Sequence, residues 1–184
     1  MITAMRKTAI STMTWVKTTM NKRLAFCMAL CVASFMASAQ LSADDPDWEE
    51  VEVPAPPAFD LKTLVPIEMP VQSELKWGVD PATLKIGRDG VVRYVVVAQS
   101  PSGVVNAMYE GIRCSKGEFR RYARHNPDSG WVKSSSSEWI PLRQASGSRH
   151  PEILARGGMC DVAAPPTTVK EALQRLNAGR TARQ

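Results

Sequence analysis

The chain has 184 residues, of which 44% are hydrophobic and 7% aromatic. This size and composition suit one modest globular domain with additional segments and exclude a membrane bundle. The formal net charge is +5, but residues 1–39 hold five basic residues and no acidic ones, so the rest of the chain carries 18 charges of each sign. The excess of positive charge therefore lies in the N-terminal segment and gives no support to a nucleic-acid-binding domain.

Residues 1–39 are typical of a secretory signal peptide. Two basic residues precede an apolar run over residues 24–36, and Ala37-Ser38-Ala39 is the small-x-small pattern that signal peptidase reads. The apolar run is too short for a bilayer span, which needs about 20 residues. We expect translation to start at Met20, cleavage to follow Ala39, and the product to be periplasmic without a membrane span.

The four cysteines divide between the leader and the exported chain. Cys27 and Cys31 lie in the leader, and the bulky residue that precedes each of them does not fit a lipidation site. Cleavage leaves Cys114 and Cys160 in an oxidising compartment, so we expect one disulfide between them. A redox pair is the alternative, although the sequence contains no Cys-x-x-Cys.

The segment 40–74 is acidic and rich in proline, and we expect it to form an extended arm. Seven acidic residues and no basic ones lie within residues 41–60, whereas residues 61–184 carry 18 basic against 11 acidic residues. Proline fixes φ and removes a backbone donor, which favours extended chain. The arm either folds back along the basic body or serves as a solvated spacer.

A β-rich domain is predicted for residues 75–164. Strand signals are strongest at residues 91–98, a run of Val, Arg, Tyr and Ala. Arg88-Asp89-Gly90 and Ser100-Pro101-Ser102-Gly103 predict tight turns on either side of this run. Residues 104–114 should therefore return antiparallel to it.

The second of these turns allows two strand registers. A simple four-residue turn places Arg93 opposite Glu110, whereas a bulged turn with Gly103 in a left-handed conformation pairs Tyr94 with Glu110. Charge pairing favours the first register and the glycine favours the second, which is the register that we expect.

Shorter elements follow. Residues 118–124 are a further strand candidate, Asn126-Pro127-Asp128-Ser129-Gly130 predicts a turn, and residues 134–137 form a serine-rich loop. We expect no helix before the C-terminal segment.

The C-terminal segment 165–184 changes to a helical period. Thr168 and Glu171 form a capping-box pattern, and apolar residues follow at helical spacing, which predicts a helix over about residues 168–178. The expected fold class is β-rich α+β, a small antiparallel sheet with a C-terminal helix.

The main candidate site combines residues from the two predicted central strands. Its members, all candidate binding residues, are Arg93, Tyr94, Tyr109, Glu110 and Arg113. A carboxylate flanked by aromatic residues can have a raised pKa and act as a general acid or base, which would make the chain a small hydrolase using Glu110 with Tyr94 or Tyr109. The alternative is a cross-strand ion pair between Arg93 and Glu110 that closes a small core.

A second group is the basic run that begins at Arg113. It continues with Lys116, Arg120, Arg121 and Arg124. These residues either bind an acidic polymer, bind the acidic arm, or face solvent. Strand alternation would place Glu118, Arg120 and Arg124 on one face.

The sequence contains no motif for metal binding, phosphate binding or nucleophilic catalysis. His125 and His150 lack the spacing of metal ligands, and we expect both at the surface. Neither a phosphate-binding loop nor a nucleophile elbow is present. We therefore expect no cofactor and no metal.

Several strand and aromatic segments form a recognisable pattern. They are Asp89-Gly90-Val91-Val92-Arg93-Tyr94, Tyr109-Glu110-Gly111-Ile112-Arg113-Cys114, Tyr122-Ala123, Trp131, Trp139 and Cys160. The pattern resembles the cryptic neisserial protein family of exported Gram-negative proteins over about residues 46–160. The resemblance implies a periplasmic protein or a lipoprotein and supplies no catalytic residues. Since no lipidation site is present, a soluble periplasmic product is favoured.

The sequence as a whole indicates a non-enzymatic binding module whose partner is an envelope protein or polymer. The hydrolase that uses Glu110 is one alternative. A purely structural or redox-stress protein is the other.

Overall fold

The computed structural model describes residues 47–69, 73–145, 147 and 149–181. Residues Asp45–Gln184 form one compact unit. The predicted leader, its cleavage after Ala39 and the start at Met20 lie outside the described residues, as do Cys27 and Cys31. These expectations stay predictions.

The described part of the chain forms one antiparallel sheet of eight strands. The strands are β1 (Val65–Ile67), β2 (Lys76–Val79), β3 (Lys85–Ile86), β4 (Val91–Gln99), β5 (Val105–Arg113), β6 (Glu118–Asn126), β7 (Gly130–Lys133) and β8 (Ile140–Pro141). Their spatial order is β1-β2-β4-β5-β6-β7, while β3 pairs with β4 and β8 pairs with β6. Short 3-10 turns occupy Pro81–Thr83 and Leu142–Gln144.

Two described helices follow the sheet. Helix α1 (His150–Leu154) continues into a π-helical turn, Ala155–Met159, and helix α2 is Val169–Thr181. The predicted fold class, β-rich α+β with a C-terminal helix, is confirmed. The expectation that no helix precedes the C-terminal segment is wrong, because α1 lies between the last strand and α2.

The predicted capping residues at the start of α2 are in place, but the carboxylate of Glu171 accepts from Thr167 rather than from Thr168. The backbone N–H of Glu171 donates to Thr168 Oγ1 at 3.1 Å, and the Glu171 carboxylate accepts from the backbone N–H of Thr167. One of the donors left free by the first helical turn, the backbone N–H of Glu171, is thereby satisfied.

The hairpin of β4 and β5 has the register that was predicted from Gly103. Tyr94 pairs with Glu110 and Val96 with Met108, and Gly103 has a φ of +85°. A side chain at that φ would be strained, so the glycine fixes the bulged turn and hence the register of both strands.

Strand β4 is buried on both faces. Its first eight residues are all buried, which explains why it reads as an almost continuous apolar run. One face, here called the helix side, contacts Leu154, Met159 and Ala172. The other, the arm side, is covered by residues from the acidic segment, among them Val53 and Phe59.

The acidic arm folds back along the sheet over residues 47–60. Trp48 Nε1 donates to the carbonyl of Asp89 at 2.8 Å, and the Phe59 ring meets the Trp131 ring edge-on with centroids 5.8 Å apart. The chain then turns and supplies the edge strand β1. Of the two alternatives for the arm, the structure has the docked one.

A disulfide ties the helix side to the sheet. Cys114, directly after β5, is bonded to Cys160, directly after the π-helical turn, with their Cα atoms 5.5 Å apart. This is the predicted pairing. It closes a loop of 46 residues that contains β6, β7, β8 and α1.

Strand β6 contains a β-bulge. Tyr109 pairs with Ala123, but the next residue of β5, Glu110, pairs with Arg121, so Tyr122 is an extra residue without a partner on β5. A bulge of this kind reverses the side to which all later residues of the strand point.

The bulge overturns the alternation predicted for β6. Glu118 and Arg120 pair with arm-side positions of β5, whereas Arg124 pairs with Met108, which lies on the helix side. The prediction of one face for all three is therefore wrong, because it assumed an unbroken strand.

Candidate functional site

The five candidate site residues are divided between the two faces of the sheet. Tyr94 and Glu110 point to the helix side, while Arg93, Tyr109 and Arg113 occupy arm-side positions of the paired strands. Neighbouring residues of a strand point in opposite directions, so one shared cleft cannot hold all five. The structure brings only Tyr94 and Glu110 together on the helix side.

Glu110 is completely buried and its carboxylate is bound on both oxygens. Arg121 Nε donates to Oε1 at 2.8 Å, and His150 Nε2 lies 2.7 Å from Oε2. The Tyr94 hydroxyl donates to Oε2 over a longer 3.4 Å. The exposed fraction of the Glu110 side chain is 0%, so a substrate has no access to it in this structure.

The pKa of Glu110 lies below its ordinary value of 4.5. Burial raises this pKa, but the charge and hydrogen-bond interactions with His150 and Arg121 together lower it by more than burial raises it. The raised pKa expected of a catalytic acid is therefore wrong. The expected pairing with Arg93 is also wrong, because Arg121 and His150 take that place.

His150 is the member of this cluster that sequence reasoning missed. The sequence predicts a surface position, yet only 1% of the His150 side chain is exposed, and its ring stacks on Trp77 with centroids 4.7 Å apart. Pro151 followed by Glu152 is a typical start of a helix and could have predicted α1. The contact with Glu110, 40 residues earlier, has no local sequence signal.

On the arm side, Arg93 joins the arm to the sheet. Its Nη2 donates to Asp89 Oδ2 at 2.6 Å and to Glu50 Oε1 at 3.0 Å, and only 4% of its side chain is exposed. Burial raises the pKa of Asp89, but hydrogen bonds from Arg93 and from the backbone of Val51 bring it below the ordinary value. Asp89 therefore stays ionised and orients the guanidinium toward the arm.

Glu50 is the arm's main anchor. Besides Arg93, it binds Arg120 Nη1 at 2.6 Å and accepts a hydrogen bond from the Tyr122 hydroxyl. Burial and Glu50 raise the pKa of Tyr122 well above its usual range, so this hydroxyl keeps its proton and remains a donor. Part of the basic run thus binds the acidic arm, one of the three roles considered for it.

The other arm-side candidates also contact the arm or lie beneath it. The guanidinium carbon of Arg113 lies 3.8 Å from the centroid of the Trp48 ring, a cation–π contact. Tyr109 is buried against Tyr122, with ring centroids 5.2 Å apart. Both residues have structural partners in the described chain.

A cleft of about 450 Å³ opens between the docked arm and β7. We call it the arm cleft. It is lined by residues 53–56, Tyr109, residues 120–123, Trp131, Lys133, Ser134, Ser136 and Ser137. Its lining combines aromatic and proline side chains with three basic residues and three serine hydroxyls, and includes no acidic residue. Mixed apolar and polar linings of this size are typical of small-molecule sites.

The described residues contain no group of three or more His, Cys, Asp or Glu side chains placed to hold a metal ion. Within the same part of the chain, no helix combines the length and apolar character needed to cross a bilayer.

Comparison with known proteins gives one match. The model of the CNP1-like family matches residues 43–177, which is most of the chain. No curated protein and no solved structure matches.

Proposed function

This chain belongs to the CNP1-like family, whose function is unknown, and from its own residues we propose that it is a soluble, exported protein of the periplasm that binds an envelope ligand without transforming it. The leader, the charge balance and the resemblance to exported neisserial proteins support export from a Gram-negative cell. The disulfide between Cys114 and Cys160 fits an oxidising compartment.

The observation that carries the binding role is the contrast between Glu110 and the arm cleft. The one carboxylate that sequence reasoning assigned to catalysis is buried and holds two structural partners. The arm cleft, in contrast, has room for a small molecule and is lined by aromatic residues, prolines, serines and the exposed Lys133. The geometry therefore favours a binding module over the hydrolase alternative.

The proposal can be tested before the ligand is identified. The full chain is expressed with its leader, isolated from the periplasm under mild conditions and examined by native mass spectrometry. We expect a subpopulation with a discrete added mass that is lost on denaturation. The polypeptide itself should begin at Gln40 and contain no free thiol.

A matched pair of variants locates the retained ligand. Ser136→Trp places a large side chain at the exposed rim of the arm cleft, and Ser73→Trp places the same side chain at an exposed position outside it. The added mass should disappear from the first variant and remain in the second. Equal retention by both variants, or no added mass in the native chain, would overturn the proposed binding site.

A further inference from the structure

The bulge in β6 places two arginines side by side on the helix side of the sheet. Arg121 pairs with Glu110 and Arg124 pairs with Met108, and these two residues of β5 point to the same face. In an unbroken strand, residues three apart would point to opposite faces. Because Tyr122 is an extra residue, the two arginines are instead neighbours on one face, roughly 7 Å apart along the strand.

Glu110 holds the first of these guanidiniums in place. Arg121 Nε donates to the completely buried Glu110 carboxylate at 2.8 Å, and 25% of the Arg121 side chain is exposed. Within the described part of the chain, its two terminal nitrogens have no hydrogen-bond partner. Arg124 is exposed and forms neither an ion pair nor a hydrogen bond with any residue that the structure describes. The pair therefore offers two free guanidinium edges, which suit bidentate binding of an anion.

Both arginines line a groove of about 790 Å³, here called the arginine groove. Asn106 pairs with Ala98 and Val132 pairs with Arg124, so these two residues also lie on the helix side. The full lining is Asn106, Arg121, residues 124–127 and residues 132–136. The arginine groove is thus on the face of the sheet opposite the docked arm.

The charge of the arginine groove favours an anionic ligand. Its lining residues include Arg121, Arg124 and Lys133, and none of these described lining residues is acidic. Glu110 is the one carboxylate that forms an ion pair with any of these three cations in the described part of the chain. Three positive charges and one negative charge leave an excess of two, which a bound anion would compensate.

The donors of the arginine groove fit a phosphomonoester better than a carboxylate. A phosphomonoester has three terminal oxygens and a charge approaching −2, whereas a carboxylate has two oxygens and a single charge. One guanidinium is enough to bind both oxygens of a carboxylate. The second guanidinium and the exposed amide of Asn106 supply donors for a third oxygen.

We propose that the arginine groove binds a phosphomonoester group, with Arg121 and Arg124 holding the phosphoryl oxygens and Asn106 donating a further hydrogen bond. Glu110 is a positioning residue in this arrangement, because it acts only through Arg121. A soluble phosphate ester and a lipid headgroup present the same chemistry, and the test distinguishes these sources. The proposal goes beyond the proposed function, because this site lies across the sheet from the arm cleft and does not depend on the ligand of that cleft.

The test is calorimetric titration of the full chain with its disulfide intact. The probes are glycerol 3-phosphate, glycerol and acetate. We expect glycerol 3-phosphate to bind at least about tenfold more tightly than acetate, and glycerol not to bind measurably, because the phosphoryl group supplies the contacts. Sedimentation with phosphatidylcholine vesicles, with and without phosphatidic acid, identifies the source. Binding to the phosphatidic acid vesicles assigns a lipid headgroup, and binding to the free ester alone assigns a soluble one.

Arg124→Gln and Arg88→Gln form a matched pair of variants. Both arginines are exposed and have no ion-pair partner among the described residues, but only Arg124 lines the arginine groove. Arg124→Gln should weaken binding of the phosphomonoester about tenfold, because one charge-assisted contact is lost, whereas Arg88→Gln should leave the affinity unchanged. Since both positions are exposed, neither substitution should disturb the fold.

Three outcomes would overturn the proposal. Acetate bound as tightly as glycerol 3-phosphate would contradict recognition of a phosphoryl group. An equal loss of affinity in both variants would show that the overall charge of the chain, rather than the arginine groove, attracts the ester. Failure of both the free ester and the phosphatidic acid vesicles to bind would refute the site, while the proposed role of the arm cleft would stand.

Discussion

Replacement of Glu110 by Gln keeps the size of the side chain and removes its charge, so it isolates what the buried carboxylate contributes. Arg121 and His150 would lose the charged carboxylate that both contact at a distance below 3 Å. Removing one partner of a buried ion pair costs about 3–5 kcal/mol, because the remaining charge stays buried without compensation. The amide oxygen of Gln retains one hydrogen bond, so we expect about 3 kcal/mol.

This loss is large enough to measure by thermal unfolding. For a compact unit of about 140 residues, 1 kcal/mol shifts Tm by about 3 °C, so Glu110→Gln should lower Tm by about 10 °C. Circular dichroism at neutral pH would follow the transition. The control is Glu74→Gln, an exposed carboxylate before β2, for which a change below about 0.5 kcal/mol is expected.

The outcome also decides between a structural and a catalytic Glu110. A nearly unchanged Tm together with loss of a measurable hydrolytic turnover would refute the buried-pair account and restore the hydrolase alternative. If Glu74→Gln lowered Tm as much as Glu110→Gln does, the burial of Glu110 would not be the cause of the stability loss.

The pH dependence of stability gives a second test of the same carboxylate. Because the pKa of Glu110 is lower in the folded protein than its ordinary 4.5, its contribution is complete above that value and is lost as pH falls below it. The stability difference between the native chain and Glu110→Gln should therefore shrink as pH falls from about 5 toward 3, measured by urea midpoints. A difference that is constant over this range would contradict the lowered pKa.

Three further predictions concern other supports of the fold. Replacing Cys114 and Cys160 together by Ser should lower the free energy of unfolding by about 4 kcal/mol in urea titrations, given the closed loop of 46 residues; a loss below about 1 kcal/mol would contradict the loop-closure argument. Gly111→Ala should cost about 1–3 kcal/mol, because a Cβ there would lie 2.5 Å from the Tyr122 hydroxyl, and an unchanged unfolding midpoint would show that the ring moves away freely. Glu50→Gln should cost about 2 kcal/mol and expose the arm to limited proteolysis, whereas an arm as resistant as in the native chain would argue against this anchor.

Sequence reasoning succeeded where the cause of the structure is local. The run at residues 91–98 has the composition of a strand buried on both faces, and Gly103 selects the hairpin register by its positive φ. Thr168 and Glu171 likewise fix the start of α2 through bonds within one helical turn. The disulfide was predicted by counting the cysteines that remain after the expected cleavage of the leader.

The site depends on contacts that cross long stretches of sequence and could not be read in the same way. Alternation was applied only to β6, where it failed, because a bulge is set by pairing with another strand rather than by its own residues. The partners of Glu110 are 11 and 40 residues away. Charge pairing within the hairpin suggested Arg93 instead, whose true partners are Asp89 and Glu50.

Tyr122, the bulge residue of β6, helps to attach the arm but takes no part in the pairing of β6 with β5. Ala123 and Arg121 pair with consecutive residues of β5. A chain without Tyr122 would therefore keep the pairing of β6 with β5 on both sides of the deletion. It would lose one of Glu50's three donors and the ring that lies over Gly111. Deletion of this one residue would thus loosen the arm on this face while β5 and β6 keep their register.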